Sequence, residues 1–296
     1  MSQSVELEDP RTRFPSPPYE DQGPIEMPGK TSQMSPRPDH GEQSYVGSGK
    51  LAGLTAIVTG ADSGIGRAVA IAYAREGANV VISFLSELED AQQTQELVEQ
   101  SGASAHLFQG DLRDESVAES LVATAFDAFE RIDLLVNNAA YQQTEEKLED
   151  FSSELFDRIM KTNLYAPFWL TRAALPKMTT GGAVINTVSI QGYDPSPELL
   201  PYATTKSGLI GMTKGLAKLA IHRGVRVNAV APGPVWTPLI PGSVAPDKVQ
   251  RFGENTLFGR AAQPAELAPL YVWLASPEAS YVTGEVFGAT GGRTPV

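Results

Sequence analysis

Tyr202 and Lys206 stand four residues apart, a spacing that on a helix places a phenol and an ammonium on one face. A free phenol titrates near pH ~10, too high to exchange protons readily at neutral pH. A neighbouring cation stabilises the phenolate and lowers that value, as a general acid or base requires. Alone, the pair reads equally as a surface Tyr and Lys one turn apart. Ser189 adds weight to the chemical reading, because it follows a buried-type apolar run, Val184-Ile185-Asn186-Thr187-Val188. That is the strand end where open α/β sheets receive ligands, and a hydroxyl there can stabilise charge developing on a carbonyl oxygen. Tyr193 is a rival phenol with no Lys four residues on. Asn163 lies in a helical pattern four residues before Pro167, which has no N–H to give the carbonyl of residue 163. That carbonyl is free to hold a water at the cost of a kink, or the kink is purely structural.

A second constellation lies upstream. The apolar run Leu54-Thr55-Ala56-Ile57-Val58-Thr59 leads into Gly60-Ala61-Asp62-Ser63-Gly64-Ile65-Gly66, then into the small residues of Arg67-Ala68-Val69-Ala70-Ile71-Ala72. Glycines at such a turn allow the sharp reversal, the approach of a pyrophosphate and close packing of helix on sheet. The helix N-terminus offers free N–H groups to the phosphates. A glycine trio by itself is weak evidence; on the first strand of a βαβ unit it is stronger. Gly29-Lys30-Thr31 imitates the end of a phosphate loop, but Pro24 stands where the earlier glycine belongs and no strand precedes it.

The elements that must position these residues begin near residue 51. Strands are expected at Thr55–Thr59, Asn79–Ser83, Ala105–Phe108, Leu134–Asn137, Ala183–Val188, Arg226–Val230 and Glu285–Ala289. Helices are expected at 64–76, 87–100, 114–130, 151–179, 202–222 and 264–275. Short apolar strands alternating with helices predict one α/β domain, a doubly wound parallel sheet of the Rossmann type, over 51–296. Residues 1–50 differ: eight prolines from Pro10 to Pro38 and scattered large apolar side chains predict a Pro-rich, mostly extended N-terminal segment. It is expected either to be disordered or to lie across a partner subunit.

Composition removes other classes. The 296 residues carry 23 basic and 35 acidic side chains, a net −12 that argues against nucleic acid or an anionic membrane surface as a partner. There is no Cys, hence no disulfide or thiolate metal site, and His40, His106 and His222 lack ligand spacing, so no metal is expected. No apolar run reaches a membrane-spanning length and the first residues do not read as a signal peptide, so a cytoplasmic protein is expected. A Gly-x-Ser-x-Gly elbow is missing, which argues against a serine hydrolase. The acid-rich runs at 87–99 and 145–154 read as solvated helix faces.

The Thr-Gly-x-x-x-Gly-x-Gly turn resembles the cofactor turn of the short-chain dehydrogenase/reductase family, and the likeness extends over 51–296. Asp111-Leu112 follows the third strand, Asn137-Asn138-Ala139-Ala140 the fourth, and Asn163, Ser189, Tyr202 and Lys206 keep the family's order. Pro232-Gly233-Pro234-Val235-Trp236-Thr237 resembles its Pro-Gly segment, and the start of the chain is similar to a subgroup with a Pro-rich N-terminal extension. The resemblance implies hydride transfer between NAD(P) and a small-molecule carbonyl or secondary alcohol. It implies that Tyr202 is the acid/base, that Lys206 tunes it and holds the nicotinamide ribose, that Ser189 polarises the carbonyl, and that Asn163 orders a water relay. For the cofactor it implies Gly60, Asp62, Ser63, Gly64, Ile65, Gly66, Asp111, Leu112, Asn138, Ala139, Tyr202, Lys206, Pro232, Gly233, Val235 and Thr237.

The choice between NAD and NADP stays open. The second strand ends in Phe84 with no acid at its tip, Ser63 stands where NADP users often carry a base, and Glu87, Glu89 and Asp90 oppose a 2′-phosphate. Arg67 is close in sequence and free to face solvent. Ala140 departs from the family's glycine and adds a methyl beside the site. Tyr141, Gln142, Gln191, Tyr193 and Trp236 are candidate substrate contacts, with 238–260 as a lid. The resemblance further implies a homotetramer packed through 151–179 and 202–222, where Gly208, Gly211 and Gly215 permit close approach. Two readings without turnover stand against the enzyme: an NAD(P)-binding sensor, and a scaffold for residues 1–50.

Overall fold

The computed structural model describes residues 7–293; the ends of the two expected segments, 1–6 and 294–296, lie outside the described residues. Seven strands make one parallel sheet: β1 (Thr55–Thr59), β2 (Asn79–Phe84), β3 (Ala105–Gln109), β4 (Ile132–Asn137), β5 (Met178–Thr187), β6 (Arg226–Pro232) and β7 (Val286–Ala289), in the order β3-β2-β1-β4-β5-β6-β7. The central strands are apolar throughout because both faces are covered. Ala56 and Val58 of β1 enter a core with Ala68, Val69, Leu267 and Tyr271, while Ile57 between them enters the opposite core with Leu121, Leu135 and Val184. Parallel pairing sets Ile57 against Val81 on one side and Leu135 on the other. Chain order reverses at β1, whose neighbours are β2 and β4, so a crevice opens at the carboxyl ends of β1 and β4.

Helices α1 (Gly64–Arg75), α2 (Leu88–Gln100), α3 (Glu115–Phe129), α4 (Ser153–Met160), α5 (Ala166–Ala174), α6 (Leu200–Ala220), α7 (Leu239–Ser243), α8 (Pro246–Gln250) and α9 (Pro264–Ala275) flank the sheet or cross its end. Side-chain oxygens of Asp114 and Ser152 cap α3 and α4, satisfying first-turn N–H groups. The single helix expected over 151–179 is instead α4, a π-helical turn Lys161–Tyr165, and α5. Pro167 is the reason. It cannot donate within a regular helix, and the widened turn absorbs this, with Ala166 N–H bonded to the Lys161 carbonyl. The end of that expected helix is also wrong, because Met178 already begins β5 and pairs with Ile132.

The N-terminal segment departs furthest from expectation. Residues 7–50 hold only one 3-10 turn, Thr31–Gln33, yet they pack on their own domain. Tyr19, 3% exposed, stacks on Trp236 with ring centroids 4.1 Å apart. The Trp236 indole N–H donates to the Pro36 carbonyl at 2.8 Å, Asp39 N–H to Gln263 Oε1 at 2.9 Å, and Lys50 N–H to Glu76 at 2.8 Å. The segment is therefore seated on its own domain. Tyr19 and Met34 each find their own notch, while Leu7 and Val46 stay exposed, and this leaves no period in the sequence.

Candidate active site

The crevice at the end of β1 and β4 is the mouth of a cleft of about 360 Å3, a size that suits a small-molecule ligand. Thr59 fixes its floor. The Thr59 hydroxyl accepts the N–H groups of Asn138 at 2.9 Å and Ala139 at 3.0 Å, and Asn138 Nδ2 donates back to the Thr59 carbonyl at 2.9 Å. Gly60, Asp62, Ser63, Gly64 and Ile65 form one bank, with Asp111 and Leu112 beyond them. Asn138 and Ala139 lie at the centre. Pro232, Gly233, Val235 and Thr237 form the opposite bank, and Ser189, Tyr202 and Lys206 close the far end.

Two expected residues stand behind the cleft. Gly66 faces the turn it follows: a Cβ there would sit 2.0 Å from the Gly60 carbonyl oxygen, so its hydrogen is a packing requirement. Asn163, fully buried, holds the loop after β4. Its Oδ1 accepts Tyr141 N–H at 2.8 Å and its Nδ2 donates to the Tyr141 carbonyl at 2.8 Å and to Thr205 Oγ1 at 3.3 Å. The π turn is what rotates Asn163 inward between α4 and α6.

Burial dominates the electrostatics of the Tyr202 and Lys206 pair. Burial pushes the Tyr202 phenol up to about 12, and the nearby Ser189 hydroxyl pulls it only partly back. Burial also pushes the Lys206 amine down, to about 7. Lys206 Nζ donates to the Thr187 carbonyl at 2.7 Å and lies 5.4 Å from the centre of the Tyr202 ring. Removal from water outweighs their mutual effect. Arg67 is a correction: it is fully buried, and its Nε donates to the Asp62 carbonyl at 2.8 Å and its Nη2 to the Asp90 carbonyl at 2.7 Å. It braces the glycine turn from beneath.

Of the expected substrate contacts, Tyr141, Gln142 and Gln191 line the cleft, as do Pro238, Leu239, Ile240, Val244 and Phe252 from the stretch expected to be a lid. Tyr193 and Trp236 do not; Trp236 is fully buried under the N-terminal segment. Arg158 and Met27–Gly29 were not foreseen as lining residues, whereas Glu87 was named for the cofactor choice. Arg158 lies 3.9 Å over the Tyr141 ring, Glu87 is 7% exposed at the rim, and Met27, Pro28 and Gly29 come from the N-terminal segment. An acid three residues past β2 was visible for Glu87; nothing in the sequence marked Met27–Gly29. Among the described residues no cluster of metal-ligating side chains occurs, and no helix is long and apolar enough to cross a membrane.

A parallel sheet with a glycine turn at its switch point and a cleft at its carboxyl edge defines the Rossmann class of dinucleotide-binding proteins. Residues 60–294 match the family model described as Enoyl-(Acyl carrier protein) reductase. The oxidoreductase YghA of Escherichia coli (strain K12) is 49% identical over 97% of this chain and 98% of its own. The glucose and ribitol dehydrogenase of Daucus carota is 42% identical over 90% of this chain and 94% of its own. A short-chain dehydrogenase from Burkholderia cenocepacia J2315, solved in complex with NADP, superposes with a TM-score of 0.77 at 31% identity, covering 82% of this chain and 99% of that one. The chain belongs to the short-chain dehydrogenase/reductase family, enzymes that use NAD(P).

Proposed function

We propose that the protein catalyses reversible hydride transfer between NAD(P) and a small-molecule carbonyl or secondary alcohol, with Tyr202 as the general acid/base. The observation that carries this reading is that Ser189, Tyr202 and Lys206, all buried, meet in the same cleft as the glycine turn far upstream in the chain. Bound NAD(P) supplies or accepts the hydride. A phenol held at about 12 is protonated at neutral pH, so Tyr202 is poised to donate to the oxygen of a carbonyl undergoing reduction. An amine held near 7 gives up and regains a proton at neutral pH, which suits Lys206 to refilling Tyr202. Ser189 is placed to donate to the same oxygen, and Asn163 positions the loop that carries Tyr141. The residues expected for the cofactor fit a dinucleotide: glycines where a Cβ would obstruct, and helix α1 starting at Gly64 with N–H groups facing the cleft.

On the substrate side, the Gln142 and Gln191 amides face an apolar wall of Leu239, Val244 and Phe252, which suits a substrate with both hydroxyl groups and a carbon backbone. Glucose and ribitol, named for the carrot relative, are the first compounds to test. A homotetramer is part of this reading; it is supported by exposed Phe156, Phe168 and Leu219 on α4, α5 and α6.

Tyr202→Phe removes the proton-bearing oxygen and little else. We expect turnover with polyol or aldose substrates to fall at least ~100-fold while the Kd for NADH or NADPH stays within about threefold. Turnover at the wild-type rate would refute the role of Tyr202. Tight cofactor binding with no turnover on any alcohol or carbonyl would favour the sensor reading instead.

A further inference from the structure

The N-terminal segment touches the cleft at one place, and its anchors there lie on opposite banks. On one bank, Ile25 N–H donates to the Pro241 carbonyl at 3.2 Å. Met27 sits so close to Gly242 of α7 that a Cβ on that glycine would come within 2.4 Å of the Met27 sulfur. Helix α7 directly follows the Pro232–Thr237 bank. On the other bank, Lys30 Nζ pairs with Glu89 at 2.9 Å and Thr31 N–H donates to Asp90 Oδ2 at 2.7 Å, both at the start of α2. Asp90 is buried, and its carbonyl holds Arg67 Nη2, whose Nε holds the carbonyl of Asp62 in the glycine turn. A chain of hydrogen bonds therefore runs from Thr31 to the turn itself. Between the anchors, Met27, Pro28 and Gly29 line the cleft that also holds Gly60–Ile65 and Tyr202. Gly29 is buried, and a Cβ there would meet Ile25 and Pro238, so the crossing is close-fitting. The matching family model begins at residue 60, downstream of the whole segment.

We infer that Ile25–Thr31 is a working part of the dinucleotide site: a strap across the middle of the cleft whose Met27–Gly29 cover bound NAD(P) and slow its release. This rests on the cofactor reading above and adds a retaining wall to it. The strap joins α7 to the start of α2, and between these anchors Met27–Gly29 line the cleft, within reach of a dinucleotide bound there. Its seat lies elsewhere, in the Tyr19–Trp236 stack and the Trp236–Pro36 hydrogen bond. Loosening that seat should therefore weaken retention without altering any group on the turn.

The test uses the full chain and NADH, read by energy transfer from tryptophan in equilibrium titration and stopped-flow displacement. Met27→Ala shortens the covering side chain, and Tyr19→Ala frees the seat from a distance. Both should speed NADH release by about threefold to tenfold, with Kd rising in step. Bound NADH should also protect the Lys30–Thr31 bond of the wild-type protein from trypsin by more than it protects bonds outside the strap, an excess that the general stabilisation of a purely structural segment would not give. If Tyr19→Ala does not fold, Met27→Ala and the protection measurement decide. A wild type that binds NADH, with release unchanged in Met27→Ala and no excess protection at Lys30, overturns the strap alone. A folded wild type that binds neither NADH nor NADPH overturns the cofactor reading and the strap with it.

Discussion

Replacing Asp62 by Asn should make the protein more stable at neutral pH, although Asp62 lies in the turn that defines the site. Burial pushes its carboxyl up to about 6, with Glu87 and Asp90 adding repulsion and a Ser63 interaction opposing it. In the unfolded chain the same group titrates near its ordinary value of 3.8. Between those values the native state holds a proton that the unfolded state has released. Stability from this group is thus fully present below pH ~4 and lost as pH rises through about 6. A difference of roughly two pH units corresponds to about 3 kcal/mol by the 1.36 kcal/mol per unit equivalence. Asn keeps the shape without the charge, so Asp62→Asn should be within about 0.5 kcal/mol of wild type at pH 4 and about 1–3 kcal/mol more stable at pH 7. Urea unfolding of both proteins at pH 4, 5, 6 and 7 measures this, since other titrating groups cancel in the difference. A difference that stays flat across the range, or a variant less stable at pH 7, would refute the argument that Asp62 is charged there at a cost.

Two further outcomes follow from the same surfaces. Glu87→Gln removes a nearly buried negative charge from the cleft rim beside the turn, and should improve NADPH affinity relative to NADH by roughly tenfold; an unchanged ratio of the two Kd values would show that Glu87 does not read the 2′ position. Light scattering should give four chain masses, because the apolar side chains on α4, α5 and α6 need cover; a mass near the single-chain 31.6 kDa rejects the tetramer.

What could be read in the sequence, and what could not, divides along a physical line. Strands buried on both faces leave continuous apolar runs, so Thr55–Thr59 stands where it was expected and β2, β4 and β6 run only one or two residues further. The glycine turn, Ser189, Tyr202 and Lys206 converge because a doubly wound sheet brings the carboxyl ends of its strands together. The missed features depend on single contacts. Met178 and Thr179 read as helix end, but with Thr180–Gly182 they belong to β5, past an irregular pairing with β4 and a left-handed Gly181. The packing of Tyr19 on Trp236 joins residues more than two hundred apart with no repeating pattern. The direction of the Tyr202 and Lys206 shifts depends on burial, which sequence spacing does not report.

The rules this chain breaks are concentrated at the cleft. Lys206 is buried without a carboxylate partner among the described residues, Asp62 is a buried carboxylate in a turn, and α4 and α5 are joined by a π turn around Asn163. Each costs stability, and most of the remaining fold follows the ordinary rules of apolar strands and capped helices, with buried Arg226 and its unpartnered Nη1 an exception. A structural explanation would need a separate cause for each. Under the proposed function one cause covers all three: a dry phenol stays protonated while a dry amine can release its proton, a turn must stay bare for phosphates, and the loop beside them is held by Asn163. The N-terminal segment fits the same account. Tyr19, Ile25 and Met27 pack on Trp236 and α7, elements that border the cleft, as the proposed strap requires.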